Sequence, residues 1–250
     1  GYFRVQSDYQ GADVLPLTAY LSGDAEKPNA AATTATGVGT LSLQGNTLSY
    51  LVTYNGLSST PSASHIHGSA TANSTTSVGV MVGFPTPQGT TGYISGTATL
   101  TDAQRDIVLG GHSYVNIHTA NFGGGEIRGN VMRTKYTATL NGANERPNPV
   151  TTDGTGSATI SIYGNELRYN VSWNALSSNA GAGHIHGRAD ANGTAGVIQG
   201  FTGVSGTSGS TSGIVTVGQN VLGAILDGMA YVNIHTANNG GGEIRGQLAP

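Results

Sequence analysis

Two short strings of the sequence carry four of its seven histidines. His65 and His67 stand in HIHGSATANSTT, and His184 and His186 stand in HIHGRADANGTA. Residues two apart on a β-strand point to the same side, so each pair presents two imidazoles together. Imidazole is a good ligand for copper, zinc, nickel and iron. A third imidazole from a neighbouring strand would complete a three-nitrogen metal site.

A third histidine recurs in the same way. The string YVNIHT occurs twice and carries His118 in its first copy and His235 in its second. His112 has Met229 as its counterpart and is left out of the repeated set. Because no carboxylate is needed to complete the ligands, we expect one copper or zinc ion per set. The alternative is that these histidines only form hydrogen bonds with Asn116, Glu126 or backbone carbonyls. The predicted metal ligands are His65, His67 and His118 in the first half, and His184, His186 and His235 in the second.

Apart from its first 16 residues, the chain is an internal duplication. LSGDAEKP from Leu21 matches LNGANERP from Leu140, and YVNIHTANFGGGEIRG matches YVNIHTANNGGGEIRG. Repeats of this length are typical of complete domains. We therefore predict one domain over 17–131 and another over 132–250. Residues 1–16 have no counterpart, and their alternating pattern from Tyr2 predicts an extra strand or a donor strand for a neighbouring molecule.

Period-two alternation dominates both copies. In RYNVSW, for example, Tyr169, Val171 and Trp173 share one face of a strand. Gly-Asn pairs at 45–46 and 164–165 predict hairpin turns. A capping box beginning at Thr101 predicts one short helix in the first copy, and the second copy carries a weaker helix signal. The predicted fold is all-β: two tandem Greek-key β-sandwich or barrel domains, each with at most one short helix.

The string GGGEIRG also occurs twice. Alternation puts the glutamate and the arginine on one strand face, which favours an ion pair that closes the sheet. The alternative is that the glutamate orients a ligating imidazole. The residues expected to support the sites in one of these ways are Glu126, Arg128 and Asn116, and their counterparts Glu243, Arg245 and Asn233.

Composition narrows the function classes. The net charge of −3 gives no basic surface for nucleic acid, and no long apolar run predicts a transmembrane segment. The absence of cysteine excludes disulfides and a thiol nucleophile. The first residue is Gly1, which favours a processed, secreted form, although an artificial boundary would look the same. Three sequons predict glycosylation sites at Asn73, Asn170 and Asn192.

The combination LNGANERP, HIHG and YVNIHTANNGGGEIRG resembles the CHRD domain, first described in chordin and found in many microbial extracellular proteins. The likeness covers nearly the whole chain as two copies, and Asp24-Ala25 is a small departure in the first. It implies a secreted or cell-surface β-domain and no defined activity. A looser likeness to the Cu/Zn superoxide dismutase barrel rests on its HxH strand, but the cysteine pair of that family is absent.

These observations predict a secreted or cell-surface structural or adhesive protein. Each module would bind copper or zinc, and the chain would self-associate, as a filament built by N-terminal strand addition, or bind extracellular matrix or surface components. The alternative is an extracellular copper-dependent redox enzyme or copper carrier. Catalysis is the less favoured hypothesis, because no acid or base recurs beside the histidines except Glu126 and Glu243.

Overall fold

The structure is a computed structural model that describes residues 11–250. The chain divides into two compact units between Thr134 and Lys135. The first described strand begins at Leu15. Most of the N-terminal extension lies outside the described residues, so the strand expected there stays a prediction.

The described part of the first unit contains nine strands and one helix. The helix, α1, spans Asp102–Leu109. The strands are β1 Leu15–Ser22, β2 Thr36–Gln44, β3 Thr47–Asn55, β4 Pro61–Gly68, β5 Val80–Gly83, β6 Gly92–Thr99, β7 Ser113–Thr119, β8 Ile127–Asn130 and β9 Met132–Arg133.

The second unit repeats this pattern with eight strands and the helix α2, Gln219–Leu226. Its strands are β10 Lys135–Asn141, β11 Thr155–Tyr163, β12 Glu166–Asn174, β13 Ala180–Gly187, β14 Val197–Gly200, β15 Gly209–Thr216, β16 Ala230–Thr236 and β17 Ile244–Gln247.

Each unit is one antiparallel sheet with the same strand order. The order is β5-β4-β7-β8-β1-β2-β3-β6 in the first unit and β14-β13-β16-β17-β10-β11-β12-β15 in the second. In the first unit the ninth strand, β9, also pairs with β1. Phe84, which follows β5, stacks on Tyr50 of β3 with ring centroids 4.0 Å apart. This contact draws opposite ends of the strand path together, so the sheet curls into a barrel-like form. The all-β prediction, with one short helix per unit, is confirmed.

Alternating burial in the strands builds each core. In β3, Leu48 and Val52 are fully buried, whereas Leu51 between them is exposed. The predicted turns connect β2 to β3 and β11 to β12, and Gly45 and Gly164 there have φ of 57° and 64°. A side chain is strained at such angles, which explains glycine at both turns.

Candidate metal centre

Two adjacent strands place the histidines of the first unit. His65 and His67 of β4 extend from one face, while Ile66 between them points into the core and is 0% exposed. On β7, His118 lies opposite Ala63 of β4. The third ring therefore lies beside the pair, as strand parity predicted.

The three imidazoles of each unit converge. The ring centroids of His65 and His118 are 5.2 Å apart, and those of His65 and His67 are 5.5 Å apart. In each triad, one ligand nitrogen per histidine lies within 4.8 Å of the others. The structure thus brings together all six predicted ligands as two groups, His65–His67–His118 and His184–His186–His235.

Backbone carbonyls fix which ring nitrogen is free. The Nδ1 atom of His67 lies 2.7 Å from the Val78 carbonyl oxygen, and that of His118 lies 3.0 Å from the Gly123 carbonyl oxygen. A carbonyl only accepts, so both Nδ1 atoms donate and both Nε2 atoms keep a lone pair. These Nε2 atoms and the Nδ1 atom of His65 are buried and have no hydrogen-bond partner among residues 11–250. Buried nitrogens left unpaired in this way fit a metal ion between them.

The second unit has the same arrangement with closer rings. The Nδ1 atoms of His186 and His235 donate to the carbonyls of Ala195 and Gly240, at 2.9 and 3.1 Å. Their Nε2 atoms lie 3.4 Å apart, and the Nδ1 atom of His184 is buried without a partner. Two lone pairs at this distance repel each other unless a cation lies between them. Tetrahedral zinc with bonds of about 2.0–2.1 Å requires nitrogens about 3.3 Å apart, close to this separation.

Burial favours the neutral form of His65 and of His184. It lowers the pKa of His65, and charge repulsion from His118 lowers that pKa further. Burial also lowers the pKa of His184, with a further contribution from His235. Because a metal binds the unprotonated nitrogen, these shifts favour binding at neutral pH.

A stack of side chains supports one ligand in each unit. Tyr114 packs flat against His67, with ring centroids 4.9 Å apart and an interplanar angle of 5°. The guanidinium of Arg128 covers the other face of the tyrosine, 3.5 Å from its centroid. The tyrosine oxygen also accepts a hydrogen bond from the Val78 amide at 3.2 Å. The second unit repeats the stack with His186, Tyr231 and Arg245.

Glu126 has a different role from the two that alternation suggested. Its carboxylate accepts hydrogen bonds from the Ser58 amide and hydroxyl, at 2.8 and 3.0 Å, and from the hydroxyls of Thr33 and Thr119. Among the described residues it forms neither the expected ion pair with Arg128 nor a bond to an imidazole. The reason is that β8 begins at Ile127, so Glu126 lies outside the strand and strand alternation does not determine the direction of its side chain.

Glu243 anchors the equivalent loop of the second unit. It accepts hydrogen bonds from Ser177, Thr152 and Thr236 in the same pattern. Burial would raise the pKa of Glu243, but these hydrogen bonds prevail and lower it to about 2. Both glutamates are therefore held as carboxylates that join loops, and Arg245 stacks on Tyr231 rather than pairing with Glu243.

The side-chain amide of Asn116 donates a hydrogen bond to a second buried glutamate, Glu26. Asn116 donates to Glu26 at 3.2 Å, and Asn233 donates to both oxygens of Glu145, at 3.0 and 3.1 Å. Burial raises the pKa of Glu26 and of Glu145 to about 7, against the lowering effect of the asparagine bond. Asn116 lies directly opposite His65 across the β4–β7 ladder. A buried acid therefore adjoins each histidine group through one asparagine.

Sequence reasoning assigned no role to this acid or to the stacked tyrosine. Glu26 and Glu145 stand in the duplicated LSGDAEKP and LNGANERP strings, so the repeat was a usable signal. Tyr114 shares a strand face with Asn116 and His118, and its counterpart repeats this spacing. The three asparagines of the sequons, Asn73, Asn170 and Asn192, are all exposed.

The comparison with protein families agrees with this architecture. The model of the CHRD domain matches residues 17–131 and 136–248. The chain belongs to the CHRD domain family. A comparison with curated proteins finds no match. Each CHRD domain of the chain carries one complete histidine triad. Within residues 11–250, none of the helices is both long and apolar enough to cross a membrane.

Proposed function

We propose that each CHRD domain binds one copper or zinc ion through its three imidazoles. The observation that carries this proposal is the convergence of three ring nitrogens in each domain. Among the described residues, all three lack a hydrogen-bond partner in the first domain; in the second, the Nδ1 atom of His184 lacks one, and the Nε2 atoms of His186 and His235 lie 3.4 Å apart. The Nδ1 atom of His65 and the Nε2 atoms of His67 and His118 would be the ligands in the first domain. An all-imidazole set suits copper or zinc better than calcium or magnesium, which prefer oxygen.

The bound ion would act mainly as a structural bridge. It would tie β4 to β7, and the carbonyl of Val78 would connect the following loop to the same ligand through His67. A metal held by folded ligands adds its binding free energy to the stability of the fold. This role suits a protein without cysteine, in which no disulfide can close the sheet.

The role of the whole chain is proposed to be structural or adhesive, in a secreted or cell-surface setting. Its support is the tandem CHRD architecture, the exposed sequons and a charged fraction of only 9%. Self-association through the N-terminal segment, as a filament, or contact with other surface components would complete that role.

A copper-dependent redox enzyme or copper carrier is the second candidate. Three protein ligands leave a coordination position at which a bound metal could exchange a small ligand or electrons. Glu126 and Glu243 do not serve as acid or base there, because hydroxyl and amide donors occupy both carboxylates. Any catalysis would therefore rest on the metal itself.

Metal analysis of variants tests the proposal. The purified chain, equilibrated with copper or zinc and dialysed, is expected to keep two ions. His67→Ala and His186→Ala are each expected to keep one, and the double variant none. The matched control is His112→Ala, which removes a histidine outside both triads and should keep two. Equal metal content in all five proteins would overturn the proposal. Two bound copper ions without redox turnover would exclude the enzymatic alternative and leave the structural role.

A further inference from the structure

The two edges of each sheet differ in how well they are protected. β5 and β14 are four residues long, and each meets its partner strand across an irregular register. Short, irregular edges resist pairing with another chain. At the opposite edges, β6 and β15 are each eight residues long and pair evenly with one strand.

The long edges lack two of the usual protective features, although the Thr211 hydroxyl of β15 donates a hydrogen bond to the Thr202 carbonyl in the segment after β14. GYISGTAT of β6 and GSTSGIVT of β15 contain no charged residue and no proline. Within residues 11–250, the backbone of these strands bonds only to β3 and β12, so the outer row of amides and carbonyls stays unpaired. Exposed apolar side chains lie on both, with Tyr93 69% and Ile214 61% exposed. Such an edge is a template for an added strand.

The N-terminal segment has the properties of a strand that could fill one edge. Residues 1–10, GYFRVQSDYQ, contain four aromatic or β-branched residues and no proline or glycine after the first position. Ten residues are enough to cover an eight-residue strand. No copy of this segment precedes the second domain. Each molecule therefore carries one donor segment and two long edges, β6 and β15.

The position of Gly11 favours β15 as the acceptor. The Gly11 carbonyl accepts from the Gly45 amide at 2.9 Å, at the turn between β2 and β3. The Asn46 carbonyl of that turn accepts from the Leu100 amide at 2.7 Å, where β6 ends. Gly11 thus lies close to the end of β6 in its own domain, and a donor strand paired there would close the molecule on itself. The β15 edge has no such segment within its own domain.

We propose that β15 of one molecule accepts residues 1–10 of a second copy as an added strand. This inference rests on the self-association in the proposed function and names its acceptor. The donor belongs to the first domain and the acceptor to the second, so the contact is head-to-tail and propagates into an open chain of molecules. A shallow cavity of 310 Å³ lies on the sheet face over β11, β12 and β15, and Arg168, Asn170, Ser212 and Ile214 are among the residues that line it.

A matched pair of edge variants tests the acceptor. Ile214→Lys puts a charge on the exposed face of β15, and Thr97→Lys makes the equivalent change on β6. A lysine on an edge strand opposes pairing with a further strand. We expect Ile214→Lys to weaken self-association about tenfold or more in sedimentation velocity, and Thr97→Lys to change it less than about twofold. Circular dichroism would confirm that both variants are folded.

A donor variant separates this inference from the wider proposal. Val5→Lys in the full chain should weaken association as Ile214→Lys does, and a synthetic peptide of residues 1–10 should compete with assembly where a scrambled peptide does not. Association that depends on Val5 but is unchanged by Ile214→Lys would overturn β15 as the acceptor and leave strand addition standing. A chain that stays monomeric at all concentrations would overturn both, without affecting the metal proposal.

Discussion

In each domain, the packing around one buried glutamate, Glu26 or Glu145, favours the protonated form of its carboxyl. Glu26 is 4% exposed, and its Oε1 atom and the Oδ1 atom of Asn116 both lack hydrogen-bond partners. Both oxygens lie beside Gly125, where a Cβ would meet each of them, and two neighbouring acceptors are better satisfied when the carboxyl carries a proton. This agrees with a pKa that burial raises to about 7.

The stability of the protein should therefore fall as Glu26 and Glu145 lose their protons. An unfolded glutamate titrates near about pH 4.3, so the raised pKa favours the folded state below that pH, and this contribution is lost between about pH 4.3 and 7. Relative to Glu26→Gln, the wild type should lose up to about 1.4 kcal/mol per pH unit across that window. Urea unfolding from pH 4.5 to 8 measures it. Glu166→Gln is the control, because Glu166 is only half-buried and pairs with Arg168; parallel profiles for wild type and Glu26→Gln would contradict the expectation.

The same buried glutamate, Glu26, explains why the third residue of GGGEIRG is a glycine. Gly125 has φ of 129°, and a Cβ there would lie 2.6 Å from the Asn116 amide oxygen and 2.7 Å from Glu26. Gly125→Ala should destabilise the chain by about 1–3 kcal/mol through backbone strain and displacement of the buried pair. Gly123→Ala is the control, because a Cβ at Gly123 meets nothing within 4 Å. Equal denaturation midpoints for the two variants would argue against this account.

At the level of strands, the alternation of side chains predicts which face of the sheet a residue lies on, but it does not predict which distant residue that side chain contacts. It correctly placed His65, His67 and His118 on one face, because these residues lie inside regular strands. It failed for Glu126, which lies just outside β8. It also could not identify the partner of Asn116, since Glu26 is 90 residues away and reaches it from the loop after β1. That contact depends on how distant strands align, which one strand's pattern does not encode.

The two helices provide a comparison of capping within one chain. Thr101 forms a full capping box with Gln104 at the start of α1, whereas Gly218 begins α2 without a side-chain cap. Thr101→Ala should therefore cost about 0.5–2 kcal/mol of stability. Gly218→Ser should be neutral or stabilising by a few tenths of a kcal/mol. Chemical denaturation of both variants checks this, and an unchanged stability for Thr101→Ala would show that packing alone holds α1.

In the molecule as a whole, each of the two domains contains a complete candidate metal site. Both domains keep the strand order, the triad, the carbonyls on two imidazoles and the arginine–tyrosine stack. Each domain contains every residue of its own triad, so neither requires the other to bind a metal. Metal binding should then stabilise the two domains separately.

Calorimetry should resolve this independence. An ion that binds only the folded state adds about 2.7 kcal/mol at a free concentration of 100 times its dissociation constant. Adding zinc or copper should raise the unfolding temperature of the wild type. In His67→Ala the first domain should lose this response while the second keeps it, so that the transition separates into two components; His186→Ala should give the converse. The full response should persist in His112→Ala. A single triad variant that abolished the response of both domains would show that the sites are coupled and would contradict independent binding.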